Sequence, residues 1–94
     1  MNLEWNDRQW FELFRLLSRL LNQFNPAANK HDRVTVLIDI CIMEGANTRP
    51  LIVAGIKAHG FDARHVAIIL NNGTGNDPKR HRWQRDDEGY YQIH

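Results

Sequence analysis

Five histidines, one cysteine and a Gly-Thr-Gly stretch are the groups in this chain most able to do chemistry, and their spacing supports none of the usual kinds. His31, His59, His65, His81 and His94 never fall at a tight metal-ligand spacing such as H-x-x-x-H, and a single thiol makes no zinc cluster. His59 and His65 flank Asp62, but a helix-end histidine and a surface histidine account for them more simply. Gly73-Thr74-Gly75 lacks the following Lys-Ser/Thr of a phosphate-cradling loop and does not open a helix. Cys41 falls on an apolar stripe, the place of a small core residue. The chain is therefore expected to be no enzyme, with no catalytic residues, no metal and no cofactor.

Charge is the remaining chemical signal. The 94 residues carry a formal charge of +1, distributed unevenly. Residues 1–47 hold five Lys/Arg and six Asp/Glu, a balance of −1, whereas residues 48–94 hold seven and five, a balance of +2. Arg49, Lys57, Arg64, Lys79, Arg80, Arg82 and Arg85 make up the basic set of the second half, a mild lean toward a polyanionic partner. A hydrophobic content of 43% suffices for a core, and the length fits one domain spanning 1–94. One cysteine leaves no internal disulfide and fits a reducing compartment. Glu4 and Asp7 interrupt any apolar leader, and no apolar run approaches a bilayer span, so a soluble cytoplasmic protein away from membranes is expected.

The elements that must position these side chains follow from periodicity and punctuation. Residues 6–25 form the clearest helix, with Asn6 or Asp7 as cap and Pro26 as stop. Trp10, Leu13, Phe14, Leu17, Leu20, Leu21 and Phe24 make its apolar stripe, which Phe11 and Leu16 widen beyond what one small domain needs. A polar linker, residues 25–32, ends in Asp32 as the expected next cap. Residues 33–44 are rich in β-branched side chains, which favours a strand. Val34, Leu37, Ile38, Cys41 and Ile42 nevertheless fit a helical stripe, and Asp39 would be costly in a strand buried on both faces. The reading adopted is a helix. Gly45-Ala46-Asn47 is a connector able to add a brief strand.

Residues 48–72 read as two short helices meeting at a tight corner. Thr48 caps the first and Pro50 sits in its first turn; Gly60 ends it, and Asp62 caps the second. After a turn-rich segment, residues 73–78, the last stretch (residues 79–94) changes to a period of two. If Asp87-Glu88-Gly89 is a three-residue loop, Gly89 takes its left-handed position, Trp83 faces Ile93 and Arg85 faces Tyr91. Trp83, Tyr91 and Ile93 then share the buried face.

Gly60 at the corner, Phe61 after it, Asp62 opening the next helix, and Val66 and Ile69 turned inward resemble the DNA-binding helix-turn-helix pattern, with Ile56 where that family usually carries Ala. Over residues 32–94, three helices and a Trp-led hairpin ending in Gly-Tyr-Tyr-x-Ile are similar to the winged helix-turn-helix family. With the long helix in front, the layout resembles a reduced MarR-type or ArsR-type regulator. The resemblance implies an α+β fold: a three-helix core with a C-terminal β-hairpin wing, plus an extra N-terminal helix. It implies a small prokaryotic or phage transcriptional regulator that binds double-stranded DNA, with residues 62–72 as recognition helix and 79–94 as wing.

On that reading Arg64 contacts a guanine or a phosphate, and Asn71 or Asn72 adds a polar contact. Ile68 shares the groove-facing side, while Arg49, Lys57, His65, Lys79, Arg80 and Arg82 meet phosphates. Asp86, Asp87 and Glu88 depart from the family, placing acids at a wing tip that usually carries Arg or Lys. Trp10, Phe11, Phe14, Leu17 and Leu21 are the expected homodimer interface. The alternative is a winged-helix module that docks another protein through its N-terminal helix or wing, without sequence-specific DNA binding of its own.

Overall fold

Each helix begins where a short polar side chain takes over an unpaired backbone N–H. The computed structural model describes residues 5–94, and its helices are α1 (Asp7–Gln23), α2 (Lys30–Met43), α3 (Arg49–Lys57) and α4 (Ala63–Asn72). Asn6 caps α1 through a reciprocal box: its Oδ1 accepts from Gln9 N at 2.8 Å, and Gln9 Oε1 accepts from Asn6 N at 3.0 Å. Thr48 caps α3, and Asp62 caps α4 by accepting from Arg64 N at 2.9 Å.

The cap expected for α2 is corrected. Asn29, not Asp32, opens that helix by accepting from Asp32 N at 2.8 Å, so α2 starts at Lys30. Asp32 instead lies in the first turn, where its charge complements the helix dipole.

The β-rich stretch 33–44 is helical throughout its apolar part. Val34, Leu37, Ile38 and Cys41 are fully buried, and Thr35 donates back to the His31 carbonyl at 2.9 Å. Tertiary burial outweighs a local propensity difference of well under ~1 kcal/mol per residue. α2 is the central helix: α1, α3, α4 and the C-terminal hairpin all pack on it. The core joins its stripe to Leu13 and Leu17 of α1, Leu51, Ile52 and Ile56 of α3, and Val66, Ile69 and Leu70 of α4. Cys41 is part of that core, and burial pushes its thiol up to about 12, so it stays uncharged.

The hairpin pairs β1 (Trp83–Arg85) with β2 (Tyr91–Ile93), antiparallel, with Trp83 opposite Ile93 and Arg85 opposite Tyr91. Its loop is the odd one expected: Gly89 has φ +91°, and Asp86 N donates to the Tyr90 carbonyl at 2.9 Å. Two expectations are corrected. The strands are three residues each, because residues 79–82 turn within the preceding loop rather than pair. Ile93 is 40% exposed although it stands opposite the buried Trp83, because the indole alone fills the core at that position. The connector before α3 does add a strand-like contact: Thr48 bridges Tyr90, and Tyr91 N donates to the Asn47 carbonyl at 2.8 Å. Four helices and a C-terminal two-stranded hairpin thus give an α+β fold, an arrangement compatible with a winged helix.

What fastens the hairpin to the helices is a carboxylate. Asp39, facing inward from α2, accepts from the Trp83 indole Nε1–H at 2.7 Å and from Arg82 Nε at 3.0 Å. Gly73, directly after α4, allows the approach, since a Cβ there would overlap the Trp83 ring. Replacing Asp39 by Ala leaves a buried indole N–H unpaired and should cost about 2–3 kcal/mol. Asp39→Asn retains an acceptor oxygen and should cost about 1 kcal/mol. Arg82→Ala removes only a half-exposed partner and should cost no more than about 1 kcal/mol. Urea unfolding with an unchanged m-value reads this order directly, and equal losses for all three variants would contradict it.

Candidate nucleic-acid interface

The corner between α3 and α4 decides which face of α4 meets solvent. Gly60 turns the chain with φ +89°, a conformation that favours glycine. Val66, Ile69 and Leu70 then point into the core, so Arg64, Ile68, Asn71 and Asn72 are left outside. Ile68 is 49% exposed. Arg49, at the start of α3, reaches this face and donates from Nη1 to Asn71 Oδ1 at 2.8 Å. That bond links two side chains that the sequence assigned separately, Arg49 to a phosphate and Asn71 to a polar contact from the recognition helix. It leaves Asn71 its amide N–H donors and Arg49 most of its fork.

The other sequence-assigned residues fall in three places. Lys57 is exposed at the end of α3, and Lys79 and Arg80 are exposed on the loop before the hairpin. His65 is half-buried, with Nε2 inaccessible and without a hydrogen-bond partner. Arg82 is corrected: its guanidinium is spent on Asp39, which raises its pKa above the ordinary guanidinium value, chiefly through that hydrogen bond. It is a positioning residue for the hairpin rather than a free cation.

The acidic tip also divides. Asp86 Oδ1 accepts from Glu88 N and Tyr90 N, both at 2.9 Å, so this carboxylate builds the loop. Asp87 and Glu88 are exposed. Asp39 is the residue whose role the sequence did not disclose. Its signal was an acid within an otherwise apolar helix, but its partners lie more than forty positions away.

The expected dimer face on α1 splits as well. Phe11 is 60% exposed and Phe14 45%, whereas Trp10 and Leu21 pack against the core. Leu17 is fully buried in this chain, so it has no surface to offer a partner, which corrects its assignment. Trp10, Phe11, Phe14, Gly55 and Ala58 line an apolar groove of about 340 Å³ between α1 and α3. Arg15 lies over the Phe11 ring, 5.8 Å from its centre.

Compared with protein-family profiles, curated protein sequences and solved structures, the chain matches none. Among the described residues no helix is long and apolar enough to cross a membrane.

His59 stacks its ring on Phe14, one of the groove's lining residues, with centroids 4.2 Å apart and an interplanar angle of 20°. Burial lowers its pKa below the usual imidazole value, and its Nε2 has no hydrogen-bond partner. The unfolded chain therefore binds this proton more tightly than the folded one. The stability tied to neutral His59 is fully present above its ordinary pKa of about 6.5 and is lost as pH falls through the lower, folded value. Wild type should lose more stability than His59→Phe, which keeps the stack, when pH drops from about 7 to about 5. Parallel pH profiles in chemical unfolding would refute this.

Proposed function

We propose that the chain is a winged helix-turn-helix protein that binds double-stranded DNA with α4 in the major groove, as a small prokaryotic or phage transcriptional regulator. The observation that carries the reading is the sidedness of α4. One face is sealed into the core behind the Gly60 corner, and the other, exposed, offers Arg64, Asn72 and the Arg49–Asn71 pair. Arg64 is the base-reading or phosphate-binding fork, and Arg49, Lys57, Lys79 and Arg80 supply phosphate contacts. The Thr48–Tyr90 bridge supports the winged-helix reading, standing where a third strand would join the hairpin.

Four phosphate contacts give a log–log salt slope of roughly −3.6, so affinity for duplex DNA should fall about hundredfold between about 50 and about 200 mM salt. Arg64→Ala should weaken binding about tenfold or more at either salt. Fluorescence anisotropy on a labelled duplex measures both. A second reading, docking onto another protein, is favoured by exposed Ile68 and by the Asp87–Glu88 charges at the tip. No duplex binding at low salt would hand the case to it.

The same proposal makes the chain a homodimer through α1. Asp7, Arg8 and Glu12 give the first half of this helix a balance of −1, with Arg8 and Glu12 paired at 3.3 Å, and Arg15 and Arg19 give the second half +2, so an antiparallel two-fold pairing centred on Phe11 and Phe14 sets opposite net charges against each other. Two exposed aromatic rings on one helix face are a patch that a second copy would bury. Sedimentation should show a dimer at tens of micromolar protein that Phe11→Ser with Phe14→Ser converts to monomer. A wild-type monomer at that concentration removes the dimer.

A further inference from the structure

A polar cleft of about 370 Å³ lies between the end of α4 and the hairpin, lined by Asn71, Thr74, Gly75, Asn76, Arg85 and Tyr91. Its side chains are nearly all donors. Arg85 is exposed and makes no ion pair among the described residues. Asn71, with Oδ1 occupied by Arg49, has its amide N–H groups left to give. Asn76 adds a second exposed amide.

Tyr91 brings a hydroxyl to the cleft from the core side. The residue is 2% exposed overall, but this oxygen is not sealed in the core: it lines the cleft and makes no hydrogen bond among the described residues, so it is available to a ligand or to water.

We infer that this cleft binds a phosphate group. No carboxylate lines it, and the neighbouring acids in the chain are turned elsewhere: Asp77 Oδ1 accepts from Lys79 N, and Asp86 Oδ1 caps its own loop. The negative end of α4 is muted. Gly73 N donates to the Ile69 carbonyl at 3.0 Å, and the Thr74 hydroxyl donates to the Leu70 carbonyl at 2.6 Å. Donors converge from α4, the following loop, β1 and β2, which suits the tetrahedral oxygens of a phosphate better than a planar carboxylate. Arg85 supplies the charge and the fork, Asn71 and Asn76 neutral N–H groups, and Tyr91 a hydroxyl reaching from the core. The phosphate comes either from a small phosphorylated molecule, for which this volume is sufficient, or from a nucleic-acid backbone. The inference does not rest on α4 entering a groove.

The test is titration of the isotopically labelled protein with inorganic phosphate, with adenosine 5′-monophosphate and with duplex DNA, followed by NMR. Saturable shifts at the Gly75 and Asn76 amides and at Arg85 Nε–H are expected, weakened about tenfold or more in Arg85→Gln and measurably in Tyr91→Phe. Tyr91→Phe removes a hydroxyl that makes no hydrogen bond among the described residues and should leave thermal unfolding unchanged, which separates ligand binding from a structural role. Shifts with phosphate or the mononucleotide identify a small-molecule source. Shifts with duplex alone, lost in Arg85→Gln, identify the backbone. Variants that bind all three probes like wild type, or the absence of shifts at these positions with every probe, overturn the inference. Duplex binding lost in Arg64→Ala but unaffected by Arg85→Gln would keep the α4 reading and remove the cleft. Mononucleotide binding without duplex binding would do the reverse.

Discussion

The Asp39 carboxylate is the point at which the two halves of this molecule are tied together. It faces inward from the central helix, 15% exposed, and holds the Trp83 indole and the Arg82 guanidinium at the root of the hairpin. The ion pair contributes little of this by itself, because Arg82 is half in water and such pairs are weak there. The indole N–H is the stronger constraint. Trp83 is 1% exposed, and its one donor needs an acceptor that the apolar core does not otherwise provide. A tryptophan in this core therefore requires an acceptor on α2, and because that acceptor is an acid it in turn claims an arginine.

Several neighbouring features follow from seating that ring. Gly73 must lack a side chain where α4 ends, and the loop after it folds back so that Gly75 N donates to the Trp83 carbonyl at 2.9 Å. Tyr91, across from Arg85, is drawn into the core, while Ile93, across from Trp83, is left partly in water. The cleft beside α4 is a consequence of the same geometry. Its walls are the helix end, the folded-back loop and the hairpin that the tryptophan anchors.

The surface has a corresponding division of labour. Arg82 and Asp86 are charged groups consumed by the fold, one by Asp39 and the other by its loop. Lys57, Arg64, Lys79 and Arg80 remain exposed around α4 and the loop before the hairpin, whereas the exposed apolar rings lie on α1, beside Arg15 and Arg19. These two surfaces belong to different helices and differ in chemistry, one suited to a polyanion and the other to an apolar partner.

Much of this was legible in the chain alone, because the signals were local. Caps at Asn6, Thr48 and Asp62, the glycines at 60 and 89 and the odd hairpin loop depend on neighbours within a few residues. So does the helical stripe of α2, which overrode its β-branched composition once Asp39 was weighed. The start of α2 was misplaced because Asn29 and Asp32 are equally competent caps, and packing chose between them. What only the tertiary structure decided was which polar groups are spent and which are free. Arg82 and Arg85 are three positions apart and alike in type, yet one is bound to an acid 43 residues earlier and the other opens onto a cleft. Leu17 and Phe14 share one helical stripe, yet one is sealed in the core and the other faces solvent. Periodicity specifies a face, but contacts between distant segments determine how much of that face is covered.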